Sequence, residues 1–288
     1  MHIILYNMFY MNYYKKYQKI IKIQSTDKTL RILLNMKLRI LNSIYLLLSN
    51  LLKMNLKEWI LFITALLLLC SNTASSGGIE DGIEAYKQGD YDKALAILQP
   101  LATQGMANAQ NNLGWMYEQG IGVTRDYKEA VKWYRLAAEQ GYASAQNNLG
   151  YIYHVGKGVA RDYTEAVKWY RLAVKKRMAN AQNNLGWMYE EGKGVTLDYK
   201  EAVKWYRLAA EQGYATAQNN LGVMYVTGKG IPQDSVHAYM WFKLAASQGD
   251  TNAEESLDRM NKEMDPSQIA YAQIMARNCE KKNYKGCK

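Results

Sequence analysis

Apolar positions between residues 107 and 250 recur at two nested periods. The shorter one is helical. Ala109, Leu113, Met116 and Tyr117 fall at offsets 0, 4, 7 and 8, one stripe along a first helix. Tyr127, Ala130, Val131, Tyr134, Ala137 and Ala138 form a second stripe at offsets 0, 3, 4, 7, 10 and 11. Trp133 and Leu136 widen it, which predicts a second helix covered from two sides. Gly120-x-Gly122 breaks the chain between the stripes, and Gly141 closes the second as a C-terminal cap. Asp126, followed three residues later by Glu129, predicts a capping box at the start of the second helix, with Asp in place of Ser or Thr.

The longer period is 36 residues, giving units at 107–142, 143–178, 179–214 and 215–250. The first and third differ at only three positions: Gln119/Glu191, Ile121/Lys193 and Arg125/Leu197. Each opens on Ala-x-Ala-Gln-Asn-Asn-Leu-Gly. A glycine inside a helix costs ~1 kcal/mol relative to alanine. Its recurrence at Gly114, Gly150, Gly186 and Gly222 therefore predicts a close approach to a neighbouring helix. Helix pairs with this much apolar surface bury it by stacking, so the pattern predicts an all-α superhelical solenoid.

Solenoid ends are expected to be atypical, and 77–106 and 251–288 are degenerate. Pro100 is expected to kink or restart the second helix of the N-terminal capping pair. The fourth unit replaces the capping glutamate by His237 and introduces Pro232. Asp265-Pro-Ser-Gln268 supplies a cap, an N1 proline and an N3 glutamine for a last helix ending near Cys279. About six helix pairs are expected in all.

Charge divides the chain differently. The formal net charge is +10, but residues 1–74 hold ten of the 36 basic residues and only two of the 26 acidic ones. The repeat region is near neutral and lacks the basic stripe that nucleic-acid binding requires. From Met54, a polar start with Lys57, an apolar run over 59–69 and a small polar stretch over 71–78 predict a signal peptide. Ala74 and Ser76 place cleavage before Gly77. Residues 1–53 are then expected to be an over-extended N-terminus, the alternative being a membrane segment around 40–52. Leu67-Leu-Leu-Cys70 is similar to a lipoprotein processing site, but Leu69 stands where a small residue is usual; lipid anchoring at Cys70 is the lesser alternative. Cleavage leaves Cys279 and Cys287, an even pair read as a disulfide in an exported chain.

The units are assembled from Ala-x-Ala-x-x-x-Leu-Gly-x-x-Tyr, Gly-x-Gly-Val, Asp-Tyr, Ala-x-x-Trp-Tyr and Ala-Ala-x-x-Gly. In this the chain resembles Sel1-like repeat proteins, relatives of the tetratricopeptide repeats, over 107–250 and more weakly at both ends. The resemblance implies right-handed superhelical stacking and an adaptor or scaffold role in protein complexes. It supplies no ligand. Some exported relatives carry a cysteine pair in each repeat and handle β-lactams, whereas no cysteine lies between Cys70 and Cys279 here.

The same resemblance makes Asn112, Asn148, Asn184 and Asn220 candidates for gripping a peptide backbone, against a reading in which they brace neighbouring helices. The residue after Leu-Gly varies as Trp115, Tyr151, Trp187 and Val223. Its aromatic members are partner anchors or inter-repeat packing. Trp133, Trp169 and Trp205 read as core. His154 and His237 have no ligand-spaced companions, and no nucleophile elbow or phosphate loop occurs. Function is expected to be non-catalytic binding of a protein or peptide, in the periplasm or secreted, without a cofactor. The alternatives are a β-lactam-handling or cell-wall-modifying enzyme and a pathogen factor acting on host proteins.

Overall fold

Two units divide the chain, residues 1–74 and 75–288. The computed structural model describes residues 78–287 together with Lys57 and Thr64, which are helical and exposed in the first unit. The segment 1–53 and Cys70 lie outside the described residues, as does the expected signal peptide over 54–76 apart from Lys57 and Thr64.

The second unit is a run of twelve helices, with no strand among the described residues. α1 covers 78–87. It is followed by α2 (Tyr91–Thr103), α3 (Ala107–Gln119), α4 (Tyr127–Glu139), α5 (Ala143–Val155), α6 (Tyr163–Val174), α7 (Ala179–Glu191), α8 (Tyr199–Ala210), α9 (Ala215–Thr227), α10 (Ser235–Ala246), α11 (Thr251–Glu263) and α12 (Pro266–Lys281). In each repeat unit the two helices pack together, and the second packs on the first helix of the next unit, which makes an all-α repeat solenoid. None of the described helices is long and apolar enough to cross a membrane.

The glycine inside each first helix is a docking point. A Cβ on Gly114 would stand 2.8 Å from the Tyr134 ring and 3.2 Å from the Ala130 carbonyl oxygen, and Gly150 and Gly186 meet Tyr170 and Tyr206 in the same way. Tyr134, Tyr170 and Tyr206 are wholly buried as a result. The apolar stripes turn inward as their spacing predicts, with Ala109, Leu113, Met116, Ala130, Val131, Ala137 and Ala138 all buried. Trp133, Trp169 and Trp205 are half-buried against this core.

Three local expectations are corrected. The second helices are covered on one side only at the leucine position, where Leu136, Leu172 and Leu208 remain 45%, 37% and 39% exposed. Only Leu244 of α10 is buried there, beside the packed helix α12. Pro100 does not restart a helix, because it falls in the last turn of α2, which runs on to Thr103. The capping is one-sided: Asp126 Oδ1 accepts from the Lys128 and Glu129 amides, while the Asp126 amide donates to the Tyr117 carbonyl. That donor is therefore spent on the preceding helix, and Glu129 pairs with Lys132 instead.

Polar ladders tie each unit to the next. Gln110, Gln146 and Gln218 donate from Nε2 to the Ala102, Ala138 and Ala210 carbonyls. Gln140, Gln212 and Gln248 donate in turn to the Oε1 atoms of Gln110, Gln182 and Gln218. In unit two the place of Gln140 is taken by Lys176, and Gln146 Oε1 is left buried without a partner. The next residue breaks a second rule. Arg177 holds φ 59°, a left-handed conformation filled by Gly141, Gly213 and Gly249 in the other units. Lys176→Gln and Arg177→Gly should therefore each stabilise the fold by about 1 kcal/mol. The double variant should raise Tm by roughly 4–8 °C for a body of this size, read by thermal circular dichroism. No increase in either variant would show that the strain and the orphan oxygen are relieved by other means.

At the C-terminal end Asp265 caps α12, accepting from Ser267, with Pro266 at the first position. Cys279 and Cys287 are joined with their Cα atoms 5.4 Å apart. The loop between them folds Tyr284 back onto Gly213, where a Cβ would stand 2.9 Å from its ring.

Candidate binding face

The first helices α3, α5, α7 and α9 present Asn112, Asn148, Asn184 and Asn220 along one face. Three of these side chains are engaged between units. Asn148 Nδ2 donates to Asn111 Oδ1 at 3.1 Å, Asn184 to Asn147 at 3.1 Å and Asn220 to Asn183 at 2.9 Å. Solenoid spacing puts neighbouring first helices within amide reach, so this ladder braces the stack. Asn112 stands at its N-terminal end and makes no side-chain hydrogen bond among the described residues.

The variable position splits in two. Trp115 is half-buried edge-on against Tyr86 of α1, centroids 5.3 Å apart. Trp187 stacks on His154 of α5 at 4.6 Å and an interplanar angle of 25°. Tyr151 and Val223 are 40% and 36% exposed. A cavity of about 270 Å³ lies between α1, α2 and α3, lined by Ile83, Tyr86, Leu98, Asn111, Asn112, Trp115 and Met116. It brings together two residues singled out from sequence, Asn112 and Trp115. At the other end of the array Val223 joins Val226, Phe242 and Met260 around a second cavity of about 210 Å³.

Glu118 and Glu190, on the last turn of α3 and α7, were not anticipated from the sequence. Glu118 Oε2 accepts from the Tyr134 hydroxyl at 2.9 Å, and Glu190 Oε2 from that of Tyr206 at 2.7 Å. Burial, then the neighbouring glutamate charge, pushes both phenols far above their ordinary range. Unit four changes both partners together, to Val226 and Phe242. Unit two changes only one: His154 replaces the glutamate, and the Tyr170 hydroxyl is buried without a partner. Burial and then Arg161 lower the His154 pKa, which keeps the ring neutral near pH 7. This paired substitution was the available sequence signal for the Glu–Tyr contacts.

On the loop side, Lys157, Lys193 and Lys229 lie over the Tyr127, Tyr163 and Tyr199 rings of the preceding unit, 5.4, 5.6 and 5.2 Å from the centroids. Such contacts are worth ~0.5–1 kcal/mol where exposed. Arg135, Arg171 and Arg207 reach forward to the hydroxyls of Tyr153, Tyr189 and Tyr225. Among the described residues no group of three or more His, Cys, Asp or Glu side chains could hold a metal ion.

No curated protein matches the chain. It is similar to the crystal structure of a Sel1 repeat protein from Oxalobacter formigenes, at 40% identity and TM-score 0.56, over 62% of this chain and 74% of that one. It is also similar to c5321, a protective antigen of uropathogenic Escherichia coli strains displaying an SLR fold, at 33% identity and TM-score 0.61. That match covers 74% of this chain but 47% of the antigen's length. Five Sel1 repeats are matched, at 77–106, 107–142, 143–177, 179–214 and 215–250, so the chain belongs to the Sel1 repeat family.

Proposed function

We propose that this protein is a non-catalytic scaffold that binds a protein or peptide on its first-helix face, with the Tyr86–Trp115 cavity as an anchoring point. The observation that carries this reading is the cavity itself. An aromatic wall, an apolar floor and the uncommitted amide of Asn112 suit an apolar side chain flanked by a peptide group. Membership of a family whose repeats generally mediate protein–protein contacts supports it. Export from Met54 with cleavage before Gly77 places the protein in the periplasm or outside the cell, where Cys279 and Cys287 are kept oxidised. The antigen among its structural relatives supports exposure of this kind.

Affinity capture from envelope and culture extracts of the source bacterium tests both parts. The full chain should retain a partner that Trp115→Ala, checked for unchanged helicity, holds about 30-fold more weakly, since truncating a buried aromatic anchor costs at least ~2 kcal/mol. The chain recovered from the envelope should have the mass of 77–288. A partner held equally by both proteins would move the interface away from this cavity.

A further inference from the structure

Besides Lys176 and Arg177 at the end of its second helix, unit two departs from its neighbours on its first-helix face. Tyr134, Tyr170 and Tyr206 seat their rings on Gly114, Gly150 and Gly186 in the same manner. The first and third give their hydroxyl hydrogens to a carboxylate. The second, with a ring buried to the same degree, has no acceptor. The residue that would provide one is His154, whose ring stacks on Trp187 instead. A fully buried donor without an acceptor costs stability, so the gap calls for something that fills it.

The surroundings fix the chemistry of what fits. Lys157 Nζ stands 5.4 Å from the centroid of the exposed Tyr151 ring. Arg161 and Lys193 both lie over the Tyr163 ring, 5.3 and 5.6 Å from its centroid, and that ring lies 5.9 Å from that of His154. The nearby acids are already engaged. Glu118 accepts from Tyr134 and lies 3.8 Å from Lys157, and Asp162 caps α6. A buried hydroxyl donor, with the two cations Arg161 and Lys193 on the ring next to His154 and an exposed aromatic ring close by, suits a carboxylate on a short apolar stem.

We propose that unit two receives an Asp or Glu side chain from an acidic segment of the partner protein. That carboxylate accepts from the Tyr170 hydroxyl, as Glu118 and Glu190 accept from Tyr134 and Tyr206 in the neighbouring units, and is held by Arg161 and Lys193. Rotation of the half-buried His154 side chain opens the way past Tyr151. The proposal rests on the scaffold reading but not on the Trp115 cavity, and it explains why the unit departs from its neighbours at this residue.

The test uses the full chain with fluorescein-labelled hexaglutamate and hexaglutamine peptides, read by fluorescence anisotropy. The acidic peptide should bind at least about tenfold more tightly than the neutral one. His154→Glu supplies the missing acceptor from within. His154→Gln does so through an amide oxygen without adding charge. Both should abolish the preference, while melting curves show a fold at least as stable as the parent. Tyr170→Phe removes the donor and should reduce the preference severalfold. Equal binding of the two peptides by the parent, or a preference that survives both His154 substitutions, would overturn the carboxylate site. A partner still captured through Trp115 in that event would leave the scaffold reading standing, so the two failures are distinguishable.

Discussion

Gly194→Ala is expected to destabilise the protein by ~3 kcal/mol or more, a large effect for a single methyl group. Two costs act together at this position. Gly194 holds φ +68°, where an L side chain is strained, and a Cβ there would stand 2.3 Å from the Tyr163 carbonyl oxygen and 2.9 Å from the Thr164 amide nitrogen. Those atoms belong to the first turn of α6, fixed by the Asp162 cap, so neither can withdraw without breaking the helix start. The comparison that isolates the clash is Gly141→Ala. It has a similar φ of +83° with nothing within 4 Å, and should cost only about 1 kcal/mol. Because solenoid stability is a sum of unit and nearest-neighbour terms, the damage should concentrate at the junction of units two and three. Urea unfolding should show the single transition of the parent broadening or dividing in Gly194→Ala, with Gly141→Ala only shifted. Equal costs in the two variants would mean that loop and helix yield together and that the second glycine of each Gly-x-Gly is only a turn device.

That glycine marks how far the sequence could be read. Its recurrence beside the 3.6-residue stripes was enough for the helix pairs, their order and the solenoid class, because these follow from local period and from the need to cover an apolar face. The close approach at Gly114 was also legible, since a helix interior tolerates glycine at a cost only for a reason. The partners of the repeated polar residues were not. Asn148 and Asn111 are 37 positions apart, Gln140 and Gln110 are 30 apart, and which amide meets which depends on how the two helices of a unit cross and on the rise and rotation between units. The one-sided cover of Leu136 was hidden for the same reason, as a stripe's width does not say whether a neighbour lies on both flanks. Asn112 and Trp115 meet in one cavity only because the shorter N-terminal pair places Tyr86 opposite them. The rule pairing Glu118 with Tyr134 could have been read, because unit four changes both members at once and unit two only one.

The same one-atom deletion should have opposite signs in adjacent units. Tyr134→Phe removes the hydroxyl that donates to Glu118 at 2.9 Å and leaves a carboxylate, itself only 9% exposed, short of a donor. Hydrogen bonds to charged groups contribute ~1.5–3 kcal/mol, and Lys157, 3.8 Å from the other carboxylate oxygen, offsets only part of the loss. A destabilisation of ~2 kcal/mol is expected. Tyr170→Phe removes an equally buried hydroxyl that has no acceptor, so the desolvation cost of that group disappears and the protein should gain ~1 kcal/mol. Ring, seat and burial are alike in the two units, so the difference isolates the acceptor. Alkaline pH offers a second readout. Burial first, and then Glu118, raises the Tyr134 phenol above its unfolded value near 10, so its contribution is complete below that pH and declines as pH rises beyond it. Tyr134→Phe should therefore lose part of the parent's sensitivity above pH 10 while being less stable at pH 7. Were Tyr170→Phe instead to destabilise as Tyr134→Phe does, its hydroxyl would have an acceptor within the folded chain, and unit two would offer a partner's carboxylate nothing that its neighbours lack.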